Sequence, residues 1–149
     1  MKIRNWIYAL IALVIVLFGF NIYGTYTKRT IARPMPCLDP DVFLEQHQHA
    51  VLQIVVDGVL EKIPTDIGIT ETCHTALHTH DDTGTIHVEA QDLHAYTLGE
   101  FFNVWQRPIE RTGYTLTTFV DGKKYNKLPQ NIVLQDQQQL LLSYKRIRE

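Results

Sequence analysis

The chain has 149 residues and a formal net charge of -2, with 45% hydrophobic and 20% charged residues, a length that suits one domain and short attachments. With 14 basic against 16 acidic residues, it has no cationic excess to neutralise phosphates, which excludes nucleic acid as an expected partner. Its two cysteines form no CxxC pair, so dithiol redox and zinc-knuckle arrangements are excluded, and one disulfide or two free thiols remain.

The run 6–23, WIYALIALVIVLFGFNIY, carries no charge. As a helix it reaches about 27 Å, close to the ~30 Å hydrocarbon core of a bilayer. Trp6 and Tyr8 at one end and Tyr23 and Tyr26 at the other suit interfacial aromatic belts. A cleaved signal peptide needs small residues at its cleavage site, where this chain has Gly19-Phe20-Asn21-Ile22-Tyr23. Lys2 and Arg4 precede the run, and Lys28, Arg29 and Arg33 follow it, so charge bias alone leaves orientation undecided. A short head and a large C-terminal part favour an uncleaved signal anchor with its head inside. The expected organisation is a transmembrane signal anchor over 1–27, a juxtamembrane linker over 28–36 and an extracytoplasmic, periplasmic domain over 37–149. The chain is then a single-pass protein of the cell membrane with the lipid bilayer as a partner. Outside the cytoplasm a Cys37–Cys73 disulfide persists. Closing a loop of about 36 residues stabilises the fold by roughly 3 to 4 kcal/mol.

Within the domain, Asp39-Pro40-Asp41 places an N-cap before a proline at the first helical position and predicts one or two helical turns over 40–46. The run 51–56, VLQIVV, then Asp57-Gly58 and the run 59–64, VLEKIP, predict a β-hairpin, because a type I′ turn needs positive φ at both central residues. The same order recurs at 115–122, TLTTFVDG, closing at Leu128-Pro129. It reads as one turn chemistry used twice rather than an internal duplication. Between the hairpins, Thr97-Leu98-Gly99-Glu100 matches a capping box, and Tyr96 with Phe101 matches a hydrophobic staple. Leu98, Phe101, Phe102 and Trp105 then form one apolar stripe, and Pro108 ends the helix by disfavouring a helical Arg107. Short strands are expected at 114–120, 123–128, 132–134 and 140–144, before a charged, solvated tail over 145–149. The expected fold class is α+β: an N-terminal transmembrane helix, then a small mostly antiparallel sheet with one capped helix. The order strand, helix, strands from Ile86 to Leu142 resembles the ubiquitin-like β-grasp, a likeness of topology that implies no function.

The segment 73–89, CHTALHTHDDTGTIHVE, holds four of the seven histidines, a cysteine and three carboxylates around one turn. Residues two apart on a strand share a face, so His47 with His49, His78 with His80, and His87 with Glu89 are same-face pairs. If Asp81-Asp82-Thr83-Gly84 is the whole loop, His80 opposes Thr85 and His78 opposes His87, which converges three imidazoles and Glu89. A bulge at Gly84 turns His87 to the other face instead. Converged imidazoles with a carboxylate suit copper, zinc or Fe(II). The candidate ligands are therefore His78, His80, His87, Glu89, His47 and His49, with a copper or zinc ion as the implied cofactor. The plainer alternative has these histidines decorating a solvent-facing strand or donating to backbone carbonyls. His74, beside a disulfide-bonded Cys73, is expected at the surface, His94 as a loop or packing residue, and Trp105 with the Phe pair in the core. A Cys–His nucleophile lacks an identifiable oxyanion element or orienting group.

The motifs His47-Gln48-His49-Ala50, Val56-Asp57-Gly58, Cys73, Leu77-His78-Thr79-His80-Asp81, Gly84, Ile86-His87-Val88-Glu89 and Tyr96-Thr97-Leu98-Gly99-Glu100-Phe101-Phe102 resemble those of a group of microbial proteins anchored in the membrane at the N-terminus. The resemblance spans about residues 37 to 122. It implies an anchored extracytoplasmic domain and no particular reaction. His74-Thr75-Ala76 stands where that group carries bulkier residues. The leading expectation is a non-enzymatic accessory subunit that stabilises a larger membrane protein complex, with the other subunits as partners. The alternatives are a periplasmic copper or zinc handling protein and a small metal-dependent enzyme.

Overall fold

The computed structural model describes residues 35–148, together with Leu13, Val14 and Val16. All of the expected span 6–23 except Leu13, Val14 and Val16, and all of the linker 28–36 except Met35 and Pro36, lie outside the described residues. Among the described residues no helix is long and apolar enough to cross a membrane. The chain divides into Met1–Arg33 and Pro34–Glu149, and the second unit carries the fold described below.

Alternation along the first long strand sets the architecture. In β1 (Gln46–Val56) Ala50, Leu52 and Ile54 are buried while Gln53 is exposed, because successive side chains of a strand point to opposite faces. β6 (Thr85–Ala90) buries Ile86, Val88 and Ala90, and β9 (Gln139–Arg146) buries Leu140, Leu142 and Tyr144. These residues share one core with Leu98, Phe101 and Phe102 of the helix α1 (Leu98–Val104) and with Ile63, Ile67, Ile132 and Leu134. Each large apolar side chain buried there stabilises the fold by roughly 1.5 to 3 kcal/mol.

The remaining strands are β2 (Val59–Glu61), β3 (Ile69–Thr70), β4 (Cys73–His74), β5 (Leu77–His78), β7 (Tyr114–Val120) and β8 (Lys123–Tyr125). The main sheet runs β5-β6-β1-β9-β7-β8, with β2 also paired to β1. The β1–β9 pair is parallel, and the other pairs are antiparallel. β3 and β4 form a separate two-stranded ribbon. The fold is thus α+β, a mostly antiparallel sheet with one helix, as the sequence pattern implies. Both Asp-Gly turns have positive φ at both residues, 49° and 86° at Asp57-Gly58 and 50° and 74° at Asp121-Gly122, as a type I′ hairpin requires.

The capping box is complete: the Glu100 N–H donates to Thr97 Oγ1 at 3.3 Å, and the Thr97 N–H donates to Glu100 Oε2 at 2.7 Å. The helix closes earlier than Pro108 demands, with Trp105 as its C-cap and Gln106 in the left-handed region at φ 57°. The expected helix over 40–46 is a correction. The segment makes only a turn, in which the Asp41 N–H donates to Asp39 Oδ1 at 3.0 Å, and Gln46 already belongs to β1. The Gln91 side chain donates to the carbonyls of Asp39 and Val42, and so short a segment gains too few bonds to offset helix nucleation.

Three further boundaries move. β8 stops at Tyr125, and β9 continues to Arg146 because Arg146 pairs with Tyr114 and its N–H donates to Asp57 Oδ1. The run 132–134 makes one bridge, Val133 to Thr97, rather than a strand. It lies along the approach to α1, with Leu98 N–H to Ile132 O and Leu134 N–H to Tyr96 O both at 2.8 Å.

Candidate metal centre

The strands that send Ile86, Val88 and Ala90 into the core must send His87 and Glu89 to the opposite face, and β1 does the same with His47 and His49. Register then stacks these rows, with His47 opposite Glu89, His49 opposite His87, and His78 opposite His87. The converging register is therefore the one that forms. Its ladder ends at His78, however, so His80 does not pair with Thr85 and instead reaches the cluster from the loop 79–84.

That loop is pinned at both ends. Thr79 is fully buried and bonds the segment opposite: its Oγ1 donates to Pro64 O at 2.9 Å and accepts from the Ile67 N–H at 3.1 Å. Its backbone adds Thr79 N–H to Ile67 O and Asp66 N–H to Thr79 O. The histidines on either side of Thr79 are thereby placed by a fixed point between them. At the other end Gly84 has φ 83°, its carbonyl accepts from the Leu52 N–H at 2.9 Å, and a Cβ there would collide with Leu52 O. Only glycine allows that approach.

Around Glu89 the donor atoms converge. His78 Nε2 lies 3.2 Å from His80 Nε2 and 3.9 Å from Glu89 Oε1, and His87 Nδ1 lies 3.6 Å from Glu89 Oε1. The four donors of His78, His80, His87 and Glu89 all lie within 4.8 Å of one another. Ligands about 2.0 to 2.1 Å from a tetrahedral ion sit about 3.3 Å apart, and these three pairs, at 3.2, 3.6 and 3.9 Å, approach that spacing without an ion. This His/Glu cluster can hold a metal ion.

His78 is the best prepared donor. It is 0% exposed, and its Nδ1–H donates to Thr75 O at 3.0 Å, which leaves the Nε2 lone pair aimed at the cluster. Burial lowers its pKa to about 4 against the opposing pull of the Thr75 carbonyl, so the ring is neutral at neutral pH. Burial, followed by the His80 and His49 rings beside it, also lowers the His87 pKa. His87 Nδ1 is buried and has no hydrogen-bond partner among the described residues. Leaving such an atom unpaired costs about 1 to 3 kcal/mol, and a metal bond removes that penalty.

His47 and His49 lie further out, with side chains 56% and 42% exposed, and with His87 they make a second group of converging donors. His74 corrects the surface expectation. Its ring packs 4.2 Å from that of His78 and 5.7 Å from that of His80, and its Nε2 is buried without a partner among the described residues. Period-two counting along one strand cannot find it, because the β3–β4 ribbon folds back to bring His74 in. Six histidines thus form one string of ring neighbours: His47, His49, His87, His80, His78 and His74. His94 stands apart and bonds the capping Glu100 at 2.7 Å.

Cys37 and Cys73 form a disulfide that closes a separation of 36 residues. It is compatible with an oxidising, extracytoplasmic location. Next to it, Cys37 bridges to Thr75 and the Leu38 N–H donates to His74 O at 2.7 Å. The covalent link therefore braces the residues that orient His78.

The fold and site define an α+β domain with a histidine-rich cluster suited to a metal ion. No family model, curated protein or solved structure matches the chain.

Proposed function

We propose that this chain is a single-pass membrane protein whose extracytoplasmic, β-grasp-like domain binds a copper or zinc ion through His78, His80, His87 and Glu89, and holds and hands on that ion. The observation that carries the reading is the fully buried His78, neutral, with Nδ1 tied to Thr75 O and Nε2 turned toward His80 and Glu89. Four converging protein donors are enough to fill a four-coordinate shell, the pattern of an ion that is held, whereas catalytic sites keep one position open. The uncharged run 6–23 and the Cys37–Cys73 bond support a tethered domain outside the cytoplasm. The parallel β1–β9 pair flanked by antiparallel strands supports the β-grasp reading.

The test is calorimetric titration of the full-length protein, in mild detergent at neutral pH, with Zn(II) and then Cu(II). One ion binds tightly, and His80→Ala combined with Glu89→Gln, two changes outside the apolar core, weakens binding at least about tenfold. Equal affinity in the wild type and the variant refutes the reading.

A second reading, an accessory subunit of a larger membrane complex, draws on a different feature. Phe43 is 91% exposed, with Val42, Leu44 and Leu93 also exposed on two segments tied together by Gln91 and Gln46. Exposed apolar patches of this kind mark interaction surfaces. On this reading Phe43→Asp releases partner subunits that otherwise purify with the protein.

A further inference from the structure

The inner cluster leaves two histidines of the same face unused, and they form a path to it. We propose that His47 and His49, together with His87, form an outer station for the same ion, through which it passes between solvent and the buried site. The inference rests on the metal-binding reading of the inner cluster. Exposure falls in order along the path: 56% at His47, 42% at His49, 19% at His87 and 0% at His78. The rings are in series, with centroids 4.8 Å apart from His47 to His49, 4.6 Å from His49 to His87 and 5.2 Å from His87 to His78.

Two groups face both stations. His87 belongs to each converging set. Glu89 Oε1 lies 3.4 Å from His47 Nε2 and 3.9 Å from His78 Nε2, so one carboxylate oxygen touches the outermost and the innermost ligand. An ion leaving a buried four-ligand site directly into water must break several bonds before new ones form. With a shared histidine and a shared carboxylate it exchanges one ligand at a time, and neither station is emptied before the next is reached. The outer station is held in register by strand pairing, His49 opposite His87 and His47 opposite Glu89, and by Asp136, whose Oδ1 accepts from the His49 N–H at 3.0 Å and lies 3.8 Å from His49 Nδ1.

A station on the path but outside the resting site changes uptake and release by the same factor and leaves the equilibrium affinity alone. This separates it from a fifth or sixth ligand of the inner site, whose loss weakens affinity. The experiment is stopped-flow transfer of Zn(II) between full-length protein in detergent and a chromophoric chelator, in both directions, for wild type, His47→Ala/His49→Ala and His80→Ala. All three substitutions sit at solvent-accessible positions, and equal thermal midpoints confirm folding.

The outer double variant slows uptake and release alike, about tenfold, with Kd within about threefold of wild type, whereas His80→Ala weakens Kd more than about tenfold. Unchanged rates in the outer variant overturn the outer station while the inner site stands. A Kd loss in the outer variant equal to that of His80→Ala also overturns it, since all the histidines then act as one site. Wild-type binding no tighter than that of His80→Ala removes the inner site, and the outer station with it.

Discussion

Replacing both cysteines, Cys37→Ser with Cys73→Ser, separates what the disulfide does to the unfolded chain from what it does to the metal site. The bond closes a separation of 36 residues, for which loop-closure entropy gives a stabilisation of about 4 kcal/mol at 25 °C. For a domain of this size each kcal/mol moves the thermal midpoint by roughly 3 to 6 °C, so the apo variant melts about 12 to 24 °C below the wild type. A purely entropic brace leaves the folded site untouched. Here, however, the Cys37 backbone bridges to Thr75, whose carbonyl accepts from His78 Nδ1–H, and Cys73 adjoins His74, whose ring packs on His78. The variant therefore also weakens Zn(II) binding, by about tenfold, as losing a group that orients a ligand does. Differential scanning fluorimetry in detergent with and without Zn(II), followed by calorimetry at a temperature where both proteins are folded, measures the two effects separately. An apo midpoint within about 3 °C of wild type refutes the entropic magnitude. An unchanged Kd alongside a large midpoint loss refutes the coupling through Thr75.

Gly84→Ala forces a Cβ into Leu52 O at a backbone φ of 83°, so urea unfolding loses about 2 to 3 kcal/mol. A loss below about 0.5 kcal/mol, the range of ordinary surface changes, shows that the loop does not need the close approach. Glu61 accepts from Arg111 at 2.7 and 3.0 Å and from Arg107 at 2.8 Å, and the hydrogen bond from Arg111, more than any other contact, lowers its pKa below the ordinary 4.5. A carboxyl depressed in the folded state contributes stability that is complete above its unfolded pKa and is lost as pH falls through the folded value. Glu61→Gln therefore lowers stability by about 1 kcal/mol at neutral pH and by progressively less in acid. Wild type and variant curves that stay parallel from pH 7 down to strong acid contradict the assignment.

Local chemistry was legible where it is self-contained. The two Asp-Gly turns, the Thr97–Glu100 box and the strand run 51–56 each carry their outcome in a few adjacent residues, and each forms as read. The segment 40–46 misleads because a correct cap signal, Asp39-Pro40, is overruled by a side chain 52 residues away, Gln91, which bonds Asp39. The metal candidates were legible as a set of strand faces, but one unit of register decides whether they converge, and that register is fixed by apolar residues on the other face. His74 was hidden for a related reason. Its approach depends on a two-residue ribbon and a distant cysteine, neither of which leaves a period in the sequence.

The division of labour between the two faces bears on how the domain tolerates change at its site. Ile86, Val88, Ala90, Ala50 and Leu52 share the core with Leu98, Phe101 and Phe102 of α1 on one face, while His87, Glu89, His49 and His47 line the other. Substitutions among the latter leave the core contacts intact, so ligand loss and unfolding are separable for His47, His49, His80 and Glu89. His78 is the exception. It sits at the edge strand β5, fully buried and bonded at both ring nitrogens, so removing it creates a cavity as well as an empty ligand position. The residue that most defines the site is thus the one whose substitution says least about it, and the exposed partner His80 is the better probe.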